Sequence, residues 1–389
     1  MTKPIYLLFE DTENTRGDLF LSSCKIIGLC ARDHGYGKQI QTSMYQCLNY
    51  FEHLAEPMAQ LINVLANEYD QSPLVEEFLG SLPSLEIDFC EGHLGKTFSL
   101  FLSTASQFVP KEFVAQMMSI VVFLDRDPYN LRSAVIEAVK NIILYFLAND
   151  RSENAQNQIK SLYRLIEERF RDTNSFVRSK VLQVCTELLS KGAVPLDRRH
   201  PILLLASDRV SDKSSNVRKR AIQLLSQFVQ SHLFCIDGGI LTLSVFESKL
   251  EHVEKEIEEF VPNENDSEGE DSTLNKLVVL KRYYTEARQF SSQLVTVLQT
   301  CFQLLLSTVK TEVIETMDFI VMLHLYKVEE AMDGIHDMLH LVWCKDTSGD
   351  EDSKRTIREN LLVLFNKVLF QVEGNAQEQT NNGVKFLIE

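Results

Sequence analysis

An all-α fold of stacked helical pairs is predicted by three observations on these 389 residues. Apolar residues recur at helical spacing along most of the chain, only 15 glycines and 9 prolines punctuate it, and a segment with fixed turn chemistry returns at intervals of about 40 residues. With 44% hydrophobic and 24% charged residues there is apolar material for a long core. No region shows the short alternating segments that an all-β protein needs.

The repeat is visible when three segments are aligned on their arginines. Asp127 to Ile142, Asp172 to Leu188 and Asp212 to Phe228 read DPYNLRSAVIEAVKNI, DTNSFVRSKVLQVCTEL and DKSSNVRKRAIQLLSQF. Each opens on an aspartate, passes through a polar turn, and reaches an apolar residue followed by Arg: Leu131-Arg132, Val177-Arg178, Val217-Arg218. Asp352, Ile357, Arg358, Leu361, Leu362 and Phe365 keep the pattern a fourth time. Two helices per unit of about 40 to 47 residues define a HEAT-repeat superhelical solenoid, an α-α superhelix. The aspartate can accept amide hydrogen bonds in the turn, and the arginine one turn into the next helix can pair with it or with its neighbour. These residues are therefore expected to hold a ladder between repeats and not to form a site.

The organisation expected along the chain is an N-terminal helical region over 1–120, HEAT repeats over 121–245, an acidic disordered loop over 246–275, further HEAT-like pairs over 276–370 and a polar tail over 371–389. The loop is expected because Glu251 to Asp271 holds ten acidic residues against one lysine.

Charge is segregated. From Lys160 to Arg220 there are 14 Lys and Arg against 7 Asp and Glu, a local +7 inside a chain of net −16, which leaves −23 on the remainder. Arg198 and Arg199, read as lying in an inter-repeat loop, and Lys213, Lys219 and Arg220 around the third turn form the candidate DNA-binding set. In a stack, equivalent turns line one edge, and a basic edge would meet phosphates without reading bases.

Motifs of catalysis are weak or incomplete. Eight cysteines are scattered with no CxxC pair, so reduced core thiols are expected and not a zinc site or a disulfide framework. His336 and His340 stand at i, i+4, but Asp337 occupies the position of the zinc-protease glutamate and no third ligand follows. Gly35-Tyr36-Gly37-Lys38 lacks the strand, the further glycine and the Ser or Thr of a phosphate loop. The reading is no enzyme, no cofactor, no metal and no small-molecule substrate. Apolar stretches fall short of the roughly 18 to 20 residues that cross a bilayer, so no membrane association and a soluble, intracellular chain are expected. Ser72 precedes Pro73, and Ser267 precedes Glu268 and Glu270, as targets of proline-directed and acid-directed kinases.

Longer stretches carry a family resemblance. HGYGKQIQTSMYQCLNYFEHLAEPMAQLINVLANEYD (His34 to Asp70), DRDPYNLRSAVIEAVKNII (Asp125 to Ile143), FRDTNSFVRSKVLQVCTELLSKGAVPL (Phe170 to Leu196), DRVSDKSSNVRKRAIQLLSQFV (Asp208 to Val229) and EVIETMDFIVMLHLYKVEEAMDGIHDMLHLVWCKDTSGDE (Glu312 to Glu351) are similar to the condensin subunit 1 family. The resemblance implies a non-catalytic regulatory subunit, found in the nucleus and on chromosomes. Its implied partners are a kleisin subunit, the SMC ATPase subunits and double-stranded DNA without sequence preference. The competing expectation is a HEAT-repeat nuclear transport receptor, whose acidic inner surface would capture basic cargo. The basic stretch over the repeat turns argues for the first.

Overall fold

The computed structural model describes residues 5–370 apart from 7, 16, 85–92, 151, 237, 260–266 and 344–355, and among the described residues there is no strand. The chain divides into two compact units, Met1–Pro195 and Leu196–Glu389.

The first unit runs through α1 (Asp18–His34), α2 (Gly37–Tyr50), α3 (Ala55–Asn67), α4 (Ser72–Ser81), α5 (Leu94–Phe108), the short α6 (Pro110–Ala115) and α7 (Met117–Ile120), then α8 (Tyr129–Asn149), α9 (Glu153–Arg169) and α10 (Ser175–Ser190). The Gly35 segment is an interhelical turn. Gly35 takes a left-handed conformation, φ 65°, which lets the following Tyr36 N–H donate back to the Cys30 carbonyl at 3.5 Å, closing α1 in a geometry a side chain would strain.

α8 packs against α5 on one side and α10 on another. Its aliphatic residues Leu131, Val135, Val139 and Ile142 are at most 1% exposed, each worth about 1.5 to 3 kcal/mol in burial. Because the helix is covered on several sides, three of its charged residues, Arg132, Glu137 and Lys140, are buried too. Such groups must find charged partners.

The second unit opens on the hairpin of α11 (Leu196–Arg209) and α12 (Ser215–Gln230). A second hairpin, α13 (Leu243–Glu259) with α14 (Ser267–Leu304), follows, and then α15 (Lys310–Leu325), α16 (Ala331–Met338) and α17 (Ile357–Phe370). α12 packs directly on α15, with α16 and α17 against the same helix, so the second hairpin is an insertion between consecutive layers. Aromatic residues seat it, the Phe234 ring lying 5.7 Å from Tyr283, 5.4 Å from Phe290 and 6.4 Å from Phe246.

This corrects the disordered loop expected over 246–275. Residues 246–259 complete α13 and 267–275 begin α14, while 260–266 lie outside the described residues. Phe246, Leu250 and Val253 recur at i, i+4 and i+7 and are buried, so the acids of 251–259 lie on the solvated side of an amphipathic helix. Glu254 pairs across the hairpin with Lys281 at 3.0 Å. The expected tail over 371–389 and Asp352 of the fourth repeat copy lie outside the described residues; Arg358 is exposed on α17.

Candidate nucleic-acid interface and the ladder behind it

The repeat turns set the geometry of the candidate site. In the turn before α10, Asp172 Oδ1 accepts the Asn174 N–H at 2.8 Å, and the Asn174 side chain caps α10 by accepting the Phe176 N–H at 2.8 Å. Asp212 does the same before α12, accepting the Ser214 N–H at 3.0 Å. Both aspartates are all but buried, with side chains 4% and 3% exposed.

Each repeat arginine spans its turn. Arg132 donates to the Arg126 carbonyl at 3.1 Å and to Asp127 Oδ1 at 2.9 Å, then reaches Asp172 in the following repeat, with Nη2 donating to Oδ1 at 3.2 Å. Arg178 Nη1 donates to the carbonyls of Asp172 at 2.8 Å and Thr173 at 3.1 Å. Arg218 Nη1 takes the equivalent carbonyls of Asp212 at 2.8 Å and Lys213 at 3.3 Å.

The forward partner of Arg218 is a glutamate, where the repeat leads one to expect an aspartate. Its Nε and Nη2 form a fork on the two carboxylate oxygens of Glu312, Nη2 to Oε2 at 2.9 Å, in the first turn of α15. Glu312 is fully buried and also accepts the Ser307 hydroxyl at 2.6 Å. The hydrogen bond to Glu312 pushes the Arg218 pKa up further. Nothing in the local pattern marked Glu312, because the inserted hairpin sets the partners 94 positions apart in sequence.

A second network, also missed from sequence, joins the inner faces of α8 and α10. Lys140 Nζ bonds Glu137 Oε1 and, at 2.6 Å, Glu187 Oε2; Lys180 Nζ closes on Glu137 Oε2 at 2.7 Å. Burial pushes the Glu137 pKa up, but the hydrogen bonds from Lys140 and Lys180 outweigh it and hold the carboxyl below its ordinary value. For Lys140, burial acts downward, and the bonds to Glu137 and Glu187 raise it on balance. Since the folded pKa of Glu137 is depressed, its stabilisation is present above the ordinary glutamate pKa and is lost as pH falls through the depressed value. Lys140 has the opposite sign, losing its contribution only as pH rises beyond its raised value. We therefore expect Glu137→Gln to cost about 2 kcal/mol at pH 7, and the gap to wild type to narrow below about pH 4. Urea titrations at pH 7 and pH 3.5 measure it; a gap of equal size at both would exclude the network as its source.

The five basic candidates do not share one edge. Lys213 sits exposed in the turn before α12, and Lys219 and Arg220 are half-buried in the first turns of that helix. Arg220 Nη1 donates to Gln223 Oε1 at 2.9 Å, and Gln223 Nε2 donates to Glu315 Oε1 on α15 at 2.6 Å. Burial raises the Glu315 pKa, against the pull of Gln223, Lys219 and Arg220. Arg198 and Arg199 require a correction: they stand in the first turn of α11 and not in a loop. Arg199 Nη2 donates to the Ser231 carbonyl at the far end of α12, and burial lowers its pKa. From Lys219 and Arg220 to Ser231, where Arg199 docks, α12 rises about 17 Å. Arg198 and Arg199 therefore do not extend the ridge of Lys213, Lys219 and Arg220.

Chemistry of other kinds finds little support in the geometry. His336 lies on α16, and His340 in the 3-10 turn Leu339–Trp343. Among the described residues, no three His, Cys, Asp or Glu side chains are grouped to hold a metal ion. Burial pushes Cys24, Cys47 and Cys301 up to about 12, so at neutral pH they are protonated thiols and poor nucleophiles. No helix among the described residues is long and apolar enough to cross a membrane.

The fold and the Asp-turn-Arg ladder define an α-solenoid of the HEAT and armadillo class. The solved structure of yeast importin-beta (Kap95p) superposes on 96% of this chain and 46% of that one with a TM-score of 0.50, at 10% identity, a likeness of fold alone. Residues 120–264, which hold the three clear repeat turns, match the family model described as sister chromatid cohesion protein PDS5. Along its length the chain is similar to condensin complex subunit 1 of two yeasts. It is 28% identical to that protein of Schizosaccharomyces pombe over 99% of the chain, and 28% identical to that of Saccharomyces cerevisiae over 100%. The human protein of the same name is 29% identical over 54% of the chain. The chain spans 37% of the length of either yeast relative.

Proposed function

We propose that this chain is a stretch of the non-catalytic scaffold of a condensin complex, a solenoid that holds kleisin and SMC subunits and lies against duplex DNA on chromosomes in the nucleus. The observation that carries the reading is the similarity to condensin complex subunit 1 along the whole chain. The architecture supports it, since stacked helical pairs offer extended surface for partners. The decisive experiment is co-expression with an SMC dimer and a kleisin. Stable co-purification is expected, whereas recovery of the small GTPase of nuclear transport in their place would favour a transport receptor.

The proposed DNA contact is the edge formed by Lys213, Lys219 and Arg220. Lys213 is free to meet a phosphate, while the other two share the field of Glu315. Charge reversal at positions 219 and 220 would set new carboxylates beside that half-buried acid, so neutral replacement is the cleaner test. Lys213→Gln, Lys219→Gln and Arg220→Gln together are expected to weaken duplex binding and lower the salt slope by about 0.9 for each phosphate no longer neutralised, with little change in melting temperature. Unchanged affinity and slope in a fluorescence titration across salt concentrations would exclude this edge.

A further inference from the structure

One serine in the first unit is placed so that a charge added to it would strike a buried acid. Ser72 is the first residue of α4, and its hydroxyl donates to Glu112 Oε1 at 2.7 Å. Glu112 lies on α6, is 4% exposed, and faces the start of α4 as that helix packs on α6. The carboxylate is thus held in the interior by a neutral hydroxyl, a partner that offers one proton and no charge. Ser72 itself is half-exposed, Pro73 follows it and is exposed, and Asp70, two residues before, is exposed with its backbone at φ 55°. Ser-Pro at an accessible turn is the substrate pattern of a proline-directed kinase.

We propose that Ser72 is a phosphorylation site whose modification opens the contact between α4 and α6. In the transfer, Ser72 Oγ attacks the γ-phosphorus of a nucleoside triphosphate; the Oγ–P bond forms as the bond to the nucleoside diphosphate breaks. The hydroxyl proton passes to the kinase's carboxylate base. The product carries a charge near −2 and no longer has the hydroxyl proton that Ser72 offered to Glu112. A phosphate dianion and a buried carboxylate cannot share a contact of hydrogen-bond length, so one must leave. Glu112 is fixed in the core, while Ser72 heads a helix that follows a surface turn. The first turn of α4 is therefore the part that moves. The inference is independent of the proposed DNA contact, which lies in the other unit.

The test uses the full chain, a proline-directed Ser/Thr kinase and ATP, with the modified residue located by mass spectrometry. Phosphate on Ser72 should lower the melting temperature by on the order of 5 °C. In the Glu112→Gln background, where an amide can donate to the phosphate, the drop should be less than half as large. If that variant does not fold, Ser72→Asp and Ser72→Asn in the wild-type chain make the same comparison, and only the charged substitution should lower the melting temperature markedly. An unmodified Ser72 in the folded chain would overturn the proposal. So would equal shifts in both backgrounds, or equal shifts for Asp and Asn.

Discussion

Replacing Arg218 with Ala is expected to destabilise the second unit by about 3 to 5 kcal/mol, the usual cost of stripping a buried ion pair of one partner. The residue left behind is the reason. Glu312 is fully buried, and without Arg218 its hydrogen bonding falls back on the Ser307 hydroxyl. The carbonyls of Asp212 and Lys213 lose their side-chain donor in the same step. Lysine at position 218 should recover only part of the loss, because a point charge cannot form the fork on both carboxylate oxygens. Replacing the pair by Met at 218 and Leu at 312 should cost less than the single Ala change, since no charge is then stranded. Chemical denaturation of the three variants decides it; a loss below about 1 kcal/mol for Arg218→Ala would show that the fork contributes no more than a surface pair.

The second large effect is expected at Arg132, where Ala should cost about 3 kcal/mol in the first unit. Arg132 side-chain exposure is 10%, and it serves two carboxylates that differ sharply in what its loss would do to them. Asp127 is 78% exposed and would turn to water, so that pairing adds little. Asp172 is 4% exposed and would fall back on the Asn174 amide of its own turn. A double-mutant cycle separates the two: coupling of Arg132 to Asp172 should exceed its coupling to Asp127 several-fold. Equal couplings would mean that burial is not what sets the strength of the rung.

The sequence made the rungs legible wherever both partners belong to the repeat itself. Asp127 and Asp172 each open a repeat turn, and the expectation that an arginine pairs with the acid of its own turn or of the neighbouring one names both partners of Arg132. Glu312 was illegible because the hairpin α13–α14 is inserted between Arg218 and its acid, and because the acid changes from Asp to Glu. A glutamate in the first turn of a helix has an ordinary explanation in the helix dipole, which hides the second role. Glu137 and Lys140 carried a faint signal, two charges three residues apart inside an otherwise apolar helix. Composition misled at 246–259, where ten acids in and beyond the stretch outweighed the i, i+4, i+7 pattern of Phe246, Leu250 and Val253. The loop expected around Arg198 and Arg199 is instead helix, since α11 begins at Leu196 and carries Pro201 within it.

Arg178 and Arg218 grip their turns by main-chain oxygens, those of Asp172 and Thr173 in one and of Asp212 and Lys213 in the other. A carbonyl is the same whatever side chain is attached to it. Position 213, and likewise 173, is therefore an open slot: the turn keeps its shape while the outward group is exchanged. Thr173 and Lys213 already show this, a neutral hydroxyl and an ammonium presented from turns of the same hydrogen-bonded form. A solenoid built in this way can change the electrical character of its rim one residue at a time and leave its joints untouched.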